Sequence, residues 1–224
     1  MCGRYTLTDP DKAIRLLFGY DGPAPNWPPM YNVAPTVEVP AVVRGSGDRP
    51  RALVKARWGL IPPWAKDMKI GARLVQARAE TIAEKPSFRS AWKTRRCLIA
   101  ADGFYEWRTD GAAKIPYRVS YEDERPFAFA GLWERWDGPD GPVRSCTVIT
   151  TAANAALAPI HHRMPVVIDP SDFARWLGLE PAAEDALRAL LAPREIEGFR
   201  PYRVSDRVNK VQNNDPDVLA PLAA

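Results

Sequence analysis

The order and chemistry of the segments predict an α+β fold, a curved and mostly antiparallel sheet system with peripheral helices. Three observations carry this expectation. Between residues 96 and 150 the chain offers five successive strand-like runs rich in Val, Ile, Phe, Tyr and Trp, separated by Gly, Asp and Pro turns. The helix-compatible stretches are short and lie outside that block. A length of 224 residues with 46% hydrophobic content can enclose one sizeable core, so a single domain is expected.

In chain order, Thr8-Asp9-Pro10 opens a helix: a capping side chain is followed by Pro where a free N–H is not missed. That helix is expected to run to about Phe18 and stop before Gly19. The Pro-rich stretch 21–36 reads as loop. Residues 38–44 (EVPAVVR) and 51–58 (RALVKARW) form a hairpin around Gly45-Ser46-Gly47-Asp48. Ser87 caps a short helix through Trp92. Strands follow at 96–101, 103–108, 115–121, 127–134 and 143–150. A short helix is expected over 154–159, a strand over 164–168, and helices over 171–177 and 183–191. The final PYRVSDRVNKVQNNDP reads as a strand and then an extended arm.

Composition narrows the function classes. No stretch approaches the roughly 20 apolar residues that span a bilayer, so no membrane role is expected. The N-terminal MCGRYTLTDPDK has no apolar export segment, which gives a cytoplasmic expectation. Three cysteines, Cys2, Cys97 and Cys146, are odd in number and widely spaced, with no Cys-x-x-Cys pair. That argues against a disulfide framework and a structural zinc site. Cys97 and Cys146 are flanked by apolar residues and read as buried strand residues. Net charge is +4, unevenly spread: residues 51–96 hold twelve Lys or Arg against three acids. A basic face of this kind can track phosphates, or simply be solvated surface.

Cys2 is the sharpest feature. After removal of Met1 it would carry a free α-amine and a thiol on one residue. An α-amine has a pKa near 8, so a useful fraction is neutral and can attack an aldehyde; the thiol can then close a thiazolidine ring. Gly3 permits close approach, and Arg4 can pair with a phosphate. In GFYEW (103–107), strand alternation puts Tyr105 and Trp107 on one face and Glu106 on the other. A carboxyl in partly apolar surroundings has a raised pKa and can shuttle protons; the plain alternative is a solvent-facing Glu. His161 and His162, the chain's two histidines, should point opposite ways in extended chain, so one can serve a site as acid or base. RWGLIPPWAKD (57–67) combines Trp58 and Trp64 with Arg57 and Lys66, the composition of a single-strand stacking platform. Trp58 reads equally well as core; Trp64, in a Pro-Pro-Trp loop, is the better contact candidate.

These blocks occur together in order: MCGRYTL, YNVAPT, RWGLIPPWAKD, ARAET, ADGFYEW, FAGLWE, TTAAN and HHRMPVVI. As a set they resemble the SRAP (SOS-response-associated peptidase) family across essentially the whole chain. The resemblance implies a single SRAP-type domain over residues 1–224 with a barrel-like sheet core. It implies DNA–protein crosslinking at abasic sites in single-stranded DNA, with Cys2 as the crosslinking residue. It assigns imine formation and proton steps to Glu106, sugar ring opening and reversal to His161, and a phosphate to Arg78. Asn32, Pro35, Trp64, Trp107 and Thr150 are implied to line the DNA path. One departure stands out: Gln76 occupies the place where the family usually has Asn near the crosslinked residue. The added methylene is expected to alter rate or reversibility while preserving the chemistry.

The implied partner is single-stranded DNA containing abasic sites, engaged by a monomer, nucleoid-associated when bound, with no metal or organic cofactor. Whether the chain is an enzyme stays open at this point, with abasic-site lyase activity and self-removal of Met1 as candidates. Two rivals stand beside crosslinking: an N-terminal thiol peptidase with Cys2 as nucleophile and His161 as base, and a passive single-strand binder.

Overall fold

The computed structural model describes residues 3–23 and 26–222. β1 (Arg4–Leu7) leads into α1 (Pro10–Phe18), where the Asp9 carboxylate accepts from the Lys12 N–H and Gly19, at φ 61, ends the helix. β2 (Met30–Val33) follows, then β3 (Glu38–Arg44), β4 (Arg51–Trp58) and the short β5 (Gln76–Arg78). α2 (Arg89–Thr94) precedes β6 (Arg96–Ala101), β7 (Gly103–Asp110), β8 (Ala113–Tyr121), β9 (Phe127–Gly138) and β10 (Gly141–Ala152). Next come β11 (Arg163–Pro165), β12 (Val167–Ile168), α3 (Phe173–Leu177), α4 (Glu184–Ala189) and β13 (Phe199–Arg203).

Among the described residues the strands form two sheets. In one, β4, β3, β6, β9 and β10 pair in that order, and β10 returns to β4 in parallel through Ser145–Arg57 and Cys146–Trp58. The result is a closed five-strand barrel. Its apolar residues include Trp58, Cys97, Ile99, Phe129, Leu132, Cys146 and Val148, all fully buried. A barrel this small leaves little room: a Cβ on Gly131 would lie 2.8 Å from the Cys97 sulfur and 2.9 Å from the Thr147 carbonyl. The second sheet is antiparallel, in the order β13-β8-β7-β1-β2. The fold is α+β, one domain with a barrel-like core and short outlying helices, as the sequence predicts. No helix among the described residues is long and apolar enough to cross a membrane.

Several local expectations need correction. The Pro-rich stretch 21–36 is not all loop, because Met30–Val33 pairs with β1; a four-residue run with a buried Asn carries no strand periodicity. Residues 154–159 form hydrogen-bonded turns rather than a helix, with Asn154 accepting from the N–H groups of Leu157 and Ala158. The α2 N-cap is Phe88, with no side-chain cap from Ser87. The 164–168 strand is split at Val166, whose carbonyl serves Ala130 and whose N–H serves Ile149. The expected C-terminal arm is folded into 3-10 turns at Asp206–Asn209 and Pro216–Leu219.

The β6–β7 corner is pinned by Asp102. Its carboxylate accepts from the Thr6 hydroxyl (2.5 Å), the Thr8 N–H (2.5 Å) and the Thr8 hydroxyl (2.7 Å). The buried Arg118 guanidinium stands behind it, donating to the Asp102 carbonyl, Glu124 and the Tyr202 hydroxyl. These bonds fix the β1–β7 register at Arg4–Tyr105.

Candidate functional site

Glu106 lies on β7 and is 2% exposed. Burial pushes its carboxyl up to about 7, because the ionised form loses its hydration. The alternation of GFYEW holds: Tyr105 and Trp107 pack with Val204, Val208 and Val218 in a small second core, and Glu106 is turned away from them. The Glu106 carboxylate is 4.0 Å from His161 Nδ1. His161 is mostly buried, and burial lowers its pKa, so the ring is neutral at pH 7. Its Nδ1 lies 3.0 Å from the Arg163 nitrogen and 3.2 Å from the Arg163 carbonyl oxygen, so the ring's tautomer sets which of the two it bonds. The two histidines do not point opposite ways. The chain bends at His162, and the rings stack at 4.3 Å.

Arg163 organises the surroundings. Its guanidinium forms a bidentate pair with Glu80 (2.6 and 3.0 Å) and donates to the Thr150 carbonyl at 2.6 Å. Thr150 itself is fully buried on β10 between Arg78 of β5 and Pro165 of β11. Gln76 and Arg78 occupy alternate positions of β5 around the buried Ala77; Gln76 is half-buried and Arg78 exposed. Pro35 is half-buried in the turn before β3. Trp64 is 57% exposed and, with Lys66, Lys69, Ile70 and Arg73, lines a groove of about 420 Å³. Trp58 is core, donating its indole N–H to the Val75 carbonyl. Cys97 and Cys146 are buried, which pushes both thiols up and leaves them inert as nucleophiles.

The structure thus brings Glu106 and His161 together, and through Arg163 it joins them to Thr150. Arg4, Asn32 and Trp107 form a separate group, engaged with the C-terminal segment. Arg4 donates to Asn32 Oδ1 (2.8 Å) and to the Val208 carbonyl (2.9 Å). The Asn32 amide donates to the carbonyls of Val208, Lys210 and Asn213. The Trp107 indole donates to Asn209 Oδ1 at 2.7 Å. Cys2 and Met1 lie outside the described residues. Sequence reasoning missed Arg163 and Glu80, although both sit inside the quoted blocks HHRMPVVI and ARAET; their pairing across 83 residues has no local signal.

Among the described residues no three His, Cys, Asp or Glu side chains gather to hold a metal. The chemistry within reach is proton transfer: a carboxyl poised near neutrality beside a neutral imidazole.

Comparison with known proteins gives a consistent picture. Residues 1–211 match the family model for SOS response associated peptidase (SRAP). The chain is 44% identical over 224 residues to the abasic site processing protein YoqW of Bacillus subtilis (strain 168), covering 98% of this chain and 99% of YoqW. It is 31% identical to the abasic site processing protein HMCES of Gallus gallus, covering 87% of this chain and 66% of that protein. Among solved structures, a Bacteroides thetaiotaomicron protein superposes with a TM-score of 0.86 at 28% identity, covering 99% of this chain and all of that one.

Proposed function

From the premise that the chain belongs to the SOS response associated peptidase family, we propose that it captures abasic sites in DNA as part of the DNA damage response. The capture is covalent, through Cys2 after removal of Met1. An abasic sugar equilibrates between a closed ring and an open aldehyde, and His161 assists ring opening by proton transfer. The Cys2 amine adds to C1′ to give a carbinolamine. Loss of one water gives the imine, with Glu106 donating the proton to the departing hydroxyl. The Cys2 thiol then adds across the C=N bond and closes the thiazolidine. The net change is the loss of one water, and no oxidant or cofactor is needed.

The observation that carries this reading is the Glu106–His161 pair, 4.0 Å apart, in which burial pushes the Glu106 carboxyl up to about 7. Glu106 stands on β7, directly paired with β1, the strand that begins two residues after Cys2. Single-stranded DNA is the favoured partner. The exposed Trp64 beside Lys66, Lys69 and Arg73 offers a stacking face with phosphate-seeking charge, worth roughly 1–3 kcal/mol per stacked base. Arg78 is exposed and available to a phosphate, and Gln76, half-buried two positions before it on β5, is the residue proposed to meet the captured sugar. The chain is proposed to act as a monomer, because Glu106 and His161 meet within a single copy.

The test is incubation of Met-processed protein with a single-stranded oligonucleotide carrying one abasic site. The expected result is a heat-stable adduct whose mass is protein plus DNA less one water, absent in Cys2→Ala. Equal binding of intact and abasic DNA with no adduct would leave a passive binder, and turnover of peptides by the Cys2 thiol would favour a peptidase.

A further inference from the structure

We infer that Arg4 and Asn32 are positioning residues rather than DNA contacts, and that a C-terminal strap, residues 205–219, acts through them to hold the strand bearing the nucleophile. The inference rests on the proposed capture by Cys2. β1 sits between β7 and β2, and β2 is the edge of the five-stranded sheet. The strap lies against this edge. The Asn214 side chain accepts from the N–H groups of Tyr31 (2.7 Å) and Asn32 (3.0 Å), so it caps donors that no further strand takes up. The Asn32 amide spans three strap carbonyls while its oxygen accepts from Arg4. Asn32 is 4% exposed, so it has no face left for a nucleic acid. The Arg4 guanidinium donates to the same two features, Asn32 and the carbonyls of Val208 and Asn209.

The strap has its own reasons to keep its shape. Val208 and Val218 are fully buried against Tyr105. Arg207 pairs with Asp215 and Asp217 across the turn, and the Asn213 amide donates to the Arg207 carbonyl. The strap is therefore a preformed set of carbonyls, and Arg4 is the side chain on β1 that reads it. A cation held by an amide and backbone carbonyls, with no carboxylate among these partners, is fixed by geometry: five N–H donors must meet acceptors at set angles. That is what a strand carrying a reactive terminus needs. Displacing a reacting group by about 1 Å can cost as much as a hundredfold in rate.

Two quantities separate positioning from contact: the first-order adduct rate at saturating abasic oligonucleotide, and the dissociation constant for the same oligonucleotide carrying a stable abasic analogue. Asn32→Ala and Arg4→Ala are each expected to lower the saturated rate about tenfold or more and to leave the dissociation constant within about twofold. Because both act through one link, the double variant should be no slower than the slower single one. Asn214→Ala, which loosens the strap from the β2 side and stands in if Asn32→Ala fails to fold, should lower the saturated rate in the same direction. Weakened affinity with an unchanged saturated rate would make these residues DNA contacts and overturn the inference. Multiplicative losses in the double variant, or wild-type rates throughout, would overturn it too. A wild-type protein that forms no adduct at all would instead remove the functional reading on which it rests.

Discussion

The Glu106 carboxyl is pushed up to about 7 because it is buried, and that single number has two consequences of opposite use. In the proposed reaction it keeps a proton available at neutral pH for the departing hydroxyl of the carbinolamine. The Cys2 amine must be neutral to attack, and an ordinary α-amine has a pKa near 8. The adduct rate should therefore rise with pH as the amine deprotonates and fall as Glu106 ionises, peaking between about 7 and 8. Glu106→Gln should be slower by about a hundredfold or more and should lose the falling limb; stopped-time gels across pH 5.5 to about 9 would read both. For stability the sign is reversed. The folded protein holds a proton that the unfolded chain releases from its ordinary value of 4.5 upward, so Glu106 makes the fold less stable as pH rises from 4.5 through about 7. Glu106→Gln should match the wild type near pH 4 and exceed it at pH 8, by a margin on the order of 3 kcal/mol at most, measured by urea unfolding. Glu106 was legible in the sequence because alternation in GFYEW placed it opposite two aromatics. The stacking of His161 on His162 was not, because it depends on a bend that two identical neighbours cannot announce.

At the scale of elements, the ties that shape the site run between segments far apart in sequence. Arg163 spans β11, the Thr150 carbonyl on β10 and Glu80 just after β5. Its side chain is 11% exposed, whereas that of Glu80 is 52% exposed. The two halves of the ion pair should therefore respond unequally. Glu80→Gln is expected to change stability by less than about 1 kcal/mol, since water can replace the carboxylate and the Thr150 bond persists. Arg163→Ala should cost about 1–3 kcal/mol by stripping the donor from a buried carbonyl, and should slow adduct formation by loosening the turn that carries His161. Thermal melts beside adduct rates on both variants test this asymmetry. The hairpin 38–44 with 51–58 and the five central strands were readable from alternation and turn residues alone. β2 and the strap were not, since neither has periodicity of its own. Asn32 was expected to line the DNA path, and its three carbonyl partners, more than 170 residues away, leave no local trace in the sequence. Arg4, read as a phosphate partner from its place near Cys2, and Asn32, assigned to the DNA path on resemblance, both hydrogen-bond to the C-terminal segment.

For the molecule as a whole, the barrel is the rigid body against which the reactive sheet is set. Its closure by the parallel β10–β4 pairing was beyond sequence reasoning, because register between strands 88 residues apart leaves no local trace. Its tightness has a measurable consequence at Gly131, whose missing side chain lets the Cys97 sulfur and the Thr147 carbonyl approach. Gly131→Ala should destabilise by about 1–3 kcal/mol through overpacking. Since the position is in the barrel wall, the adduct rate per folded molecule should stay at the wild-type value, as read by the melting transition and by adduct yield well below it. The bond from Arg4 to the Val208 carbonyl joins groups 204 positions apart. On the ribosome Arg4 is made 204 residues before the carbonyl that steadies it. A nascent chain that has not yet reached Val208 thus has β1 without this tie, so the strand is steadied only after that distant segment has been synthesised.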